Sequence, residues 1–367
     1  MTITQTLELN KPAKAITMWD FSWLERRWPG AGYEDWDEAL DGLVERGYDA
    51  VRIDAYPHLL AADPEKEWEL IPCWNQHDWG SPAKCRVRVM PALIEFISKC
   101  AERKIGVALS TWFREDSTGQ RLLVPTARRH GEIWRRTLEL IEQAGLLDQI
   151  LYVDLCNEWP MKDWAPFFNN GNAGQYIWSA EASTTWMRES IALLKNAYPR
   201  MDFCFSFASD LENWQGKDVS FLDLLEPHIW MVQGGDFYQR VDYKYECFDS
   251  VGYEKMVRMA EPLYRSDEEH WQQALYKCIE NSADWSRASG KPLVTTECWG
   301  TVVYKDWPML DWGWVKELCA LGVERAAATN RWAAIASSNF CGPQFVGMWR
   351  DVAWHQRLTK IIRQPVT

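Results

Sequence analysis

The sequence predicts an α/β chain closed into a single (β/α)8 TIM barrel, and three observations predict it. Eight short apolar runs of strand length recur along the 367 residues. Segments with helical spacing lie between them, which is the alternation expected of a parallel sheet. The chain also has no G-x-G-x-x-G turn and no phosphate loop, the marks of an open doubly wound sheet.

In chain order, strands are expected over 15–21, 50–55, 105–111, 150–156, 202–207, 228–232, 293–296 and 333–338. Helices are expected over 36–46, 90–104, 131–144, 180–197, 268–288, 311–329 and 354–362, where apolar residues return with a helical period. Residues 1–14 form an N-terminal extension. Three connections, 56–89, 159–179 and 233–267, are too long for simple strand-to-helix loops. All three follow the carboxyl end of a strand, the face on which this fold places its sites, and they are rich in Trp, Tyr and Asn. No linker or low-complexity stretch divides the chain, so it reads as one domain.

Composition excludes several function classes. Apolar residues at 47% and charged residues at 25% are those of an ordinary globular protein. A formal charge of −12 argues against a nucleic-acid partner, because phosphate binding needs clustered Lys and Arg. No apolar stretch approaches the roughly 18 residues of a membrane span, so no membrane partner is expected. The first ten residues lack both the basic start and the apolar core of a secretory signal. Ten cysteines lack metal spacing, and Cys100, Cys156, Cys204 and Cys319 lie inside apolar runs. They read as buried free thiols, which places the protein in the cytoplasm. Oligomeric state has no signature in the sequence.

The unusual number is 24 tryptophans. Trp19, Trp23, Trp74, Trp79, Trp112, Trp159, Trp164, Trp230, Trp299 and Trp349 fall at expected strand ends or in loops. Most read as packing residues, yet flat aromatic faces at strand ends are also what a carbohydrate cleft needs.

Two glutamates carry the chemical expectation. Glu158 follows the fourth expected strand in Ile150-Leu-Tyr-Val-Asp-Leu-Cys-Asn-Glu-Trp-Pro160, and Glu297 follows the seventh in Lys291-Pro-Leu-Val-Thr-Thr-Glu-Cys-Trp-Gly300. Carboxylates at strand ends of a barrel point into its mouth, where two of them can flank one glycosidic bond. A strand-end glutamate taken alone is most often a solvated or ion-paired loop residue. An Asn-Glu dipeptide alone arises by chance.

Asn157-Glu158-Trp159 after a fourth strand, a glutamate after a seventh, and Trp299 two residues beyond it together resemble the retaining β-glycoside hydrolases with a (β/α)8 barrel. The likeness is to the cellulase-like branch that includes glycoside hydrolase family 5. It spans most of the barrel in organisation, through few and short motifs. The resemblance implies that Glu158 is the general acid/base and Glu297 the nucleophile. Arg52, in Val51-Arg-Ile-Asp54, matches the family's buried arginine on the nucleophile, and it reads equally as a barrel-core ion pair. Asn157 matches the residue that bonds the sugar 2-hydroxyl. His228 stands where the family often has His-x-Tyr. Here the run is His228-Ile229-Trp230, leaving Tyr238 or Tyr243 as candidates for the missing phenol.

Glu158 is expected to be raised in pKa by an apolar wall that includes Trp159, and by the like charge of Glu297. Glu297 is expected to stay ionised beside Arg52. Position alone adds Asp20, Trp23, Asp54, His58 and Trp112 at the ends of the first three strands, Trp230 and Trp299 beyond the sixth and seventh, and Asn339 after the eighth as sugar-binding candidates.

The expected protein is therefore a retaining β-glycosidase acting on carbohydrate, with no cofactor and no metal. Its long loops and internal location favour short or terminal glycosides. One alternative on the same barrel is a metal-dependent sugar isomerase or epimerase using Glu158, Glu297, His228 and Asp54, although His is scarce at six. Another is a sugar-binding barrel without chemistry.

Overall fold

A computed structural model describes residues 7–73, 78–168, 177–244, 250–304, 306 and 310–364. Residues 74–77 of the first long loop, Trp74 among them, and central parts of the other two lie outside the described residues. Eight parallel staves form the barrel. They are Lys14–Asp20, Ala50–Asp54, Gly106–Ser110 and Ile150–Asp154, then Phe203–Cys204 with Ser206–Phe207, Glu226–Pro227 with Ile229–Trp230, Leu293–Thr295 with Cys298–Trp299, and Trp332–Ala336. Each stave pairs in parallel with the next, and the eighth pairs with the first, so the sheet closes.

The first four staves and the eighth are continuous and wholly or almost wholly buried, as apolar runs covered on both faces should be. The fifth, sixth and seventh are each broken in two. Val153 and Asp154 of the fourth stave pair with Phe203 and Cys204, whereas Ser206 and Phe207 pair with Glu226 and Pro227. Ile229 and Trp230 pair with Cys298 and Trp299. His228 and the pair Thr296 and Glu297 fall in the breaks. Their backbones remain tied across the gap: His228 N donates to Phe207 O, and Ile229 N donates to Glu297 O.

Helices cover the outside. Ala127–Gln143 begins where the Thr126 hydroxyl accepts from the Arg129 amide, one turn earlier than its apolar spacing predicts. Its buried face carries His130, Ile133, Trp134, Thr137, Leu138 and Ile141. This face packs near Glu181–Ala197. A Cβ on Gly131 would meet the Ser190 carbonyl oxygen at 3.0 Å, so glycine permits that close approach. Asp35 and Asp267 cap Trp36–Glu45 and Glu268–Ser289 in the same way.

The long connections hold more structure than their sequences announce. The first contains helix Pro57–Ala62 and the antiparallel strands Trp68–Leu70 and Cys85–Val87. The third contains Phe237–Val241 and Ser250–Ser266. No described helix is long and apolar enough to cross a membrane.

Candidate active site

At the carboxyl ends of the first four staves the chain turns sharply. Asp20, Tyr56, Phe113 and Glu158 hold φ of +40°, +48°, +40° and +51°. None is glycine, and left-handed backbone at such residues costs on the order of 1–3 kcal/mol each. At Glu158 the cost is met by anchoring: its amide donates to the Ser206 hydroxyl at 2.9 Å, and the Asn157 amide to the Thr111 carbonyl. The turn aims the Glu158 carboxylate across the mouth.

Glu297 reaches the same place from the break in the seventh stave. One oxygen of Glu158, one of Glu297 and a ring nitrogen of His228 all lie within 4.8 Å of one another. His228 Nδ1 sits 3.1 Å from Glu158 Oε1 and 3.8 Å from Glu297 Oε2. The Trp164 indole N–H donates to the other Glu158 oxygen at 3.1 Å.

Beneath this group lies Arg52, fully buried, with carboxylates on several sides. It donates to Glu297 Oε1 at 3.3 Å, lies 3.4 Å from Glu226 Oε1, and pairs closely with Asp154. It also donates to Asn157 Oδ1 at 2.8 Å, Ser110 Oγ at 2.9 Å and Thr296 Oγ1 at 3.1 Å. Trp112 covers the guanidinium, 4.8 Å from ring centre to carbon. Glu226 is held in turn by the Tyr152 hydroxyl at 3.1 Å and Thr296 at 2.8 Å.

This charge arrangement departs from the expected division of labour. Burial pushes both Glu158 and Glu297 up to about 7. Arg52 does not hold Glu297 low, because its single charge is divided among Glu297, Asp154 and Glu226, and burial outweighs the remainder. The nearby charge of Glu158 adds to the rise at Glu297, so the titration belongs to the pair. Burial lowers His228 to about 4, so near neutral pH its ring is uncharged and donates one N–H.

The structure brings together Glu158, Glu297, Arg52, Asn157, His228 and Trp112. Trp230 stands edge-on to His228, with ring centres 5.7 Å apart. Asp20, at the end of the first stave, lies near enough for Glu297 to act on its charge. Asn339 donates its amide N–H to the Cys298 carbonyl and its side chain to the Val302 carbonyl. Buried and unpartnered among the described residues are Asn157 Nδ2, His228 Nε2, Asp20 Oδ2, Trp230 Nε1 and Asn339 Oδ1. Orphaned polar atoms are costly, and their clustering at one barrel mouth suits a polyhydroxylated ligand.

Four expected sugar contacts are corrected. Trp299 points outward: its indole donates to the Ala336 carbonyl, and a Cβ on Gly322 would meet the ring at 2.4 Å. Trp23 is core, packed on Trp36 and Phe96 with its N–H on the Asp54 carbonyl. Both Asp54 carboxylate oxygens are occupied by the amides of Tyr56 and Trp112. His58 bonds the Arg114 carbonyl and lines a different cavity.

Two secondary expectations also change. Trp159 packs among Phe168, Phe205 and Trp186 instead of walling Glu158; Trp164 takes that place. The Tyr238 hydroxyl accepts from the amides of Val302 and Val303, and Tyr243 packs at a tilt against Tyr238. The phenol of the barrel interior is Tyr152, whose hydroxyl donates to Glu226 and not to Glu297.

Asp154, Glu226, Ser206 and Trp164 are the functional-site residues missed in the sequence. A lone arginine inside a buried strand was the available signal for the first two, since it requires counter-charges facing it. Trp164 yields a direct test. Its N–H favours ionised Glu158, so Trp164→Phe should move the basic limb of the kcat/KM profile upward, by up to about one pH unit. An unmoved limb would show that the indole does not act on Glu158.

The chain matches, over residues 16–363, a family model described as sugar-binding cellulase-like. It is 54% identical to a presumptive glycoside hydrolase from Parabacteroides distasonis, with a TM-score of 0.95, covering 97% of this chain and 94% of that one. An endoglucanase shares the fold at 13% identity, TM-score 0.53 and coverage of 97% and 98%. An endo-β-1,4-mannanase from Thermotoga petrophila shares it at 12% identity, TM-score 0.52 and coverage of 97% and 78%. No curated protein matches the chain.

Proposed function

The chain belongs to the cellulase-like family, and on that premise we propose that it is a retaining β-glycoside hydrolase acting on short or terminal β-glycosides. The observation that supports this most directly is the convergence of Glu158 and Glu297 oxygens within 4.8 Å. Retaining enzymes hold their carboxyl groups about 5–5.5 Å apart, and inverting enzymes leave room for a water between them.

In the proposed reaction Glu297 attacks the anomeric carbon while Glu158 transfers its proton to the departing glycosidic oxygen. The C1–O bond to the leaving group breaks as the bond to Glu297 forms. Glu158, now ionised, then takes a proton from water, whose oxygen attacks C1 and releases Glu297. The cycle starts with one carboxyl protonated and the other ionised, a state favoured near neutral pH by two neighbouring carboxyls both raised to about 7. Asn157 Nδ2 donates to the sugar 2-hydroxyl, a bond that strengthens as C1 becomes cationic. The nine described cysteines are all free thiols, which supports the proposed cytoplasmic location.

A second reading has one observation in its favour. Glu158, His228 and Glu297 are spaced so that they could ligate a divalent ion, as in a sugar isomerase. A single experiment separates the two: hydrolysis of aryl β- and α-glycosides, followed by proton NMR, with and without chelator. The β-anomer is expected as first product from a β-glycoside, at a rate indifferent to chelator. First release of the α-anomer, or activity abolished by chelator, would overturn the proposal.

A further inference from the structure

A separate cavity lies beyond the second stave, lined by none of the residues gathered around the carboxylate pair. Trp112 faces Arg52, while its neighbour Phe113 packs at a tilt against His58, with ring centres 5.2 Å apart. The cavity, about 390 Å³, is lined by His58, Asp63, Lys66, Trp68, Gln120 and Arg129, among others. This volume falls within the range of small-molecule sites and exceeds what one monosaccharide needs.

His58 gives the inner end a defined polarity. Its Nε2 bonds the Arg114 carbonyl at 3.0 Å, and a carbonyl only accepts, so the proton is on Nε2. Nδ1 is then a lone-pair acceptor, and it is buried without a partner among the described residues. Burial lowers His58 to about 4, so the ring stays neutral at physiological pH. This end calls for a hydrogen-bond donor such as a hydroxyl.

The charged residues of the lining are Lys66, Arg129 and Asp63. The Lys66 ammonium rests over the Trp68 ring at 3.9 Å, and among the described residues Arg129 has a single long ion-pair contact, 3.9 Å to Glu132. Asp63 Oδ1 is engaged by the Glu65 amide. Two weakly engaged cations face one partly engaged carboxylate, so the lining is net positive.

We propose that this cavity binds a hydroxylated organic anion of the size of a sugar acid or sugar phosphate, with a hydroxyl on His58 and the anionic group at Lys66 and Arg129. The proposal is independent of the hydrolytic reading, because it requires binding alone. The test is calorimetric titration of the whole protein with glucuronate, glucose 6-phosphate, glucose and inorganic phosphate.

Glucuronate or glucose 6-phosphate is expected to bind in the millimolar range and better than glucose or phosphate. The stronger of the two identifies the anionic group. The Lys66→Ala/Arg129→Ala variant should weaken that binding about tenfold, as two partly solvated charge contacts allow, with glycosidase turnover unchanged. His58→Phe should weaken it as well, which a role in packing alone would not produce. The proposal fails if glucose or bare phosphate binds as tightly as the sugar anions. It also fails if the double variant binds unchanged, or if none of the four ligands produces heat.

Discussion

Glu297→Ala is expected to lower turnover of aryl β-glycosides by roughly 10⁴- to 10⁶-fold, the scale on which loss of an essential nucleophile acts. The variant should recover in part with azide. The anion enters the space left by the carboxylate, attacks C1 from that face and expels the aglycone, leaving an α-glycosyl azide. Glu158→Ala should respond with the opposite stereochemistry. Its first step on an activated aryl glycoside needs little acid assistance, so the glycosyl-enzyme forms and azide attacks it from the Glu158 side, leaving a β-glycosyl azide. The two product anomers assign the two roles independently of rate. An α-azide from both variants, or no rescue in either, would remove Glu297 as nucleophile. Folding provides the control. Glu297 is one of several carboxylates around one guanidinium, so its removal relieves like-charge repulsion, and Glu297→Ala should melt no lower than the parent.

The barrel was legible because its staves announce themselves by composition. Val51, Ile53, Val107, Leu109, Leu151 and Val153 are all buried in positions that a short apolar run predicts. Less legible were the elements whose signal is weak or mixed. Ser250–Ser266 buries Tyr253, Met256, Ala260 and Tyr264 on one face, a helical period diluted by charged neighbours and interrupted by Pro262. The convergence of the glutamate pair could be anticipated from ordinal position, since this fold carries its sites at the carboxyl ends of its strands.

The direction of the tryptophans could not be read in that way. Trp299 follows a break after Thr295, and a break resets the two-residue alternation that tells inside from outside. Asp54 ends the second stave and His58 lies beyond it, where the chain turns through Tyr56 in the left-handed region. That turn directs the Asp54 carboxylate to backbone amides and His58 to the neighbouring cavity. Asp154 and Glu226 were hidden for another reason. Their function is toward Arg52, and a contact between three distant staves has no local signature.

Arg52→Met should therefore be the most damaging change to stability, and its pH dependence identifies the cause. Methionine keeps much of the stem volume and removes the charge that Asp154, Glu226 and Glu297 face. Breaking a buried ion pair from one side costs about 3–5 kcal/mol, because the partner charge is left uncompensated. The sign follows from linkage. Burial has already raised Glu226 and Glu297 to about 7, above the unfolded carboxylate range, so the folded state holds protons that the unfolded state releases. Their contribution is present in full below about 4, the unfolded value, and is lost as pH rises through the folded value. Removing Arg52 raises these folded values further, which extends the loss to higher pH. Urea denaturation should show a smaller penalty for Arg52→Met at pH 5 than at pH 8. A penalty equal at both would mean that Arg52 stabilises by packing alone, with the carboxylates beneath the mouth neutralised by other means. A penalty that falls with acid would show that Arg52 stabilises the barrel interior by compensating the buried carboxylates that face it, Glu226 and Glu297 among them.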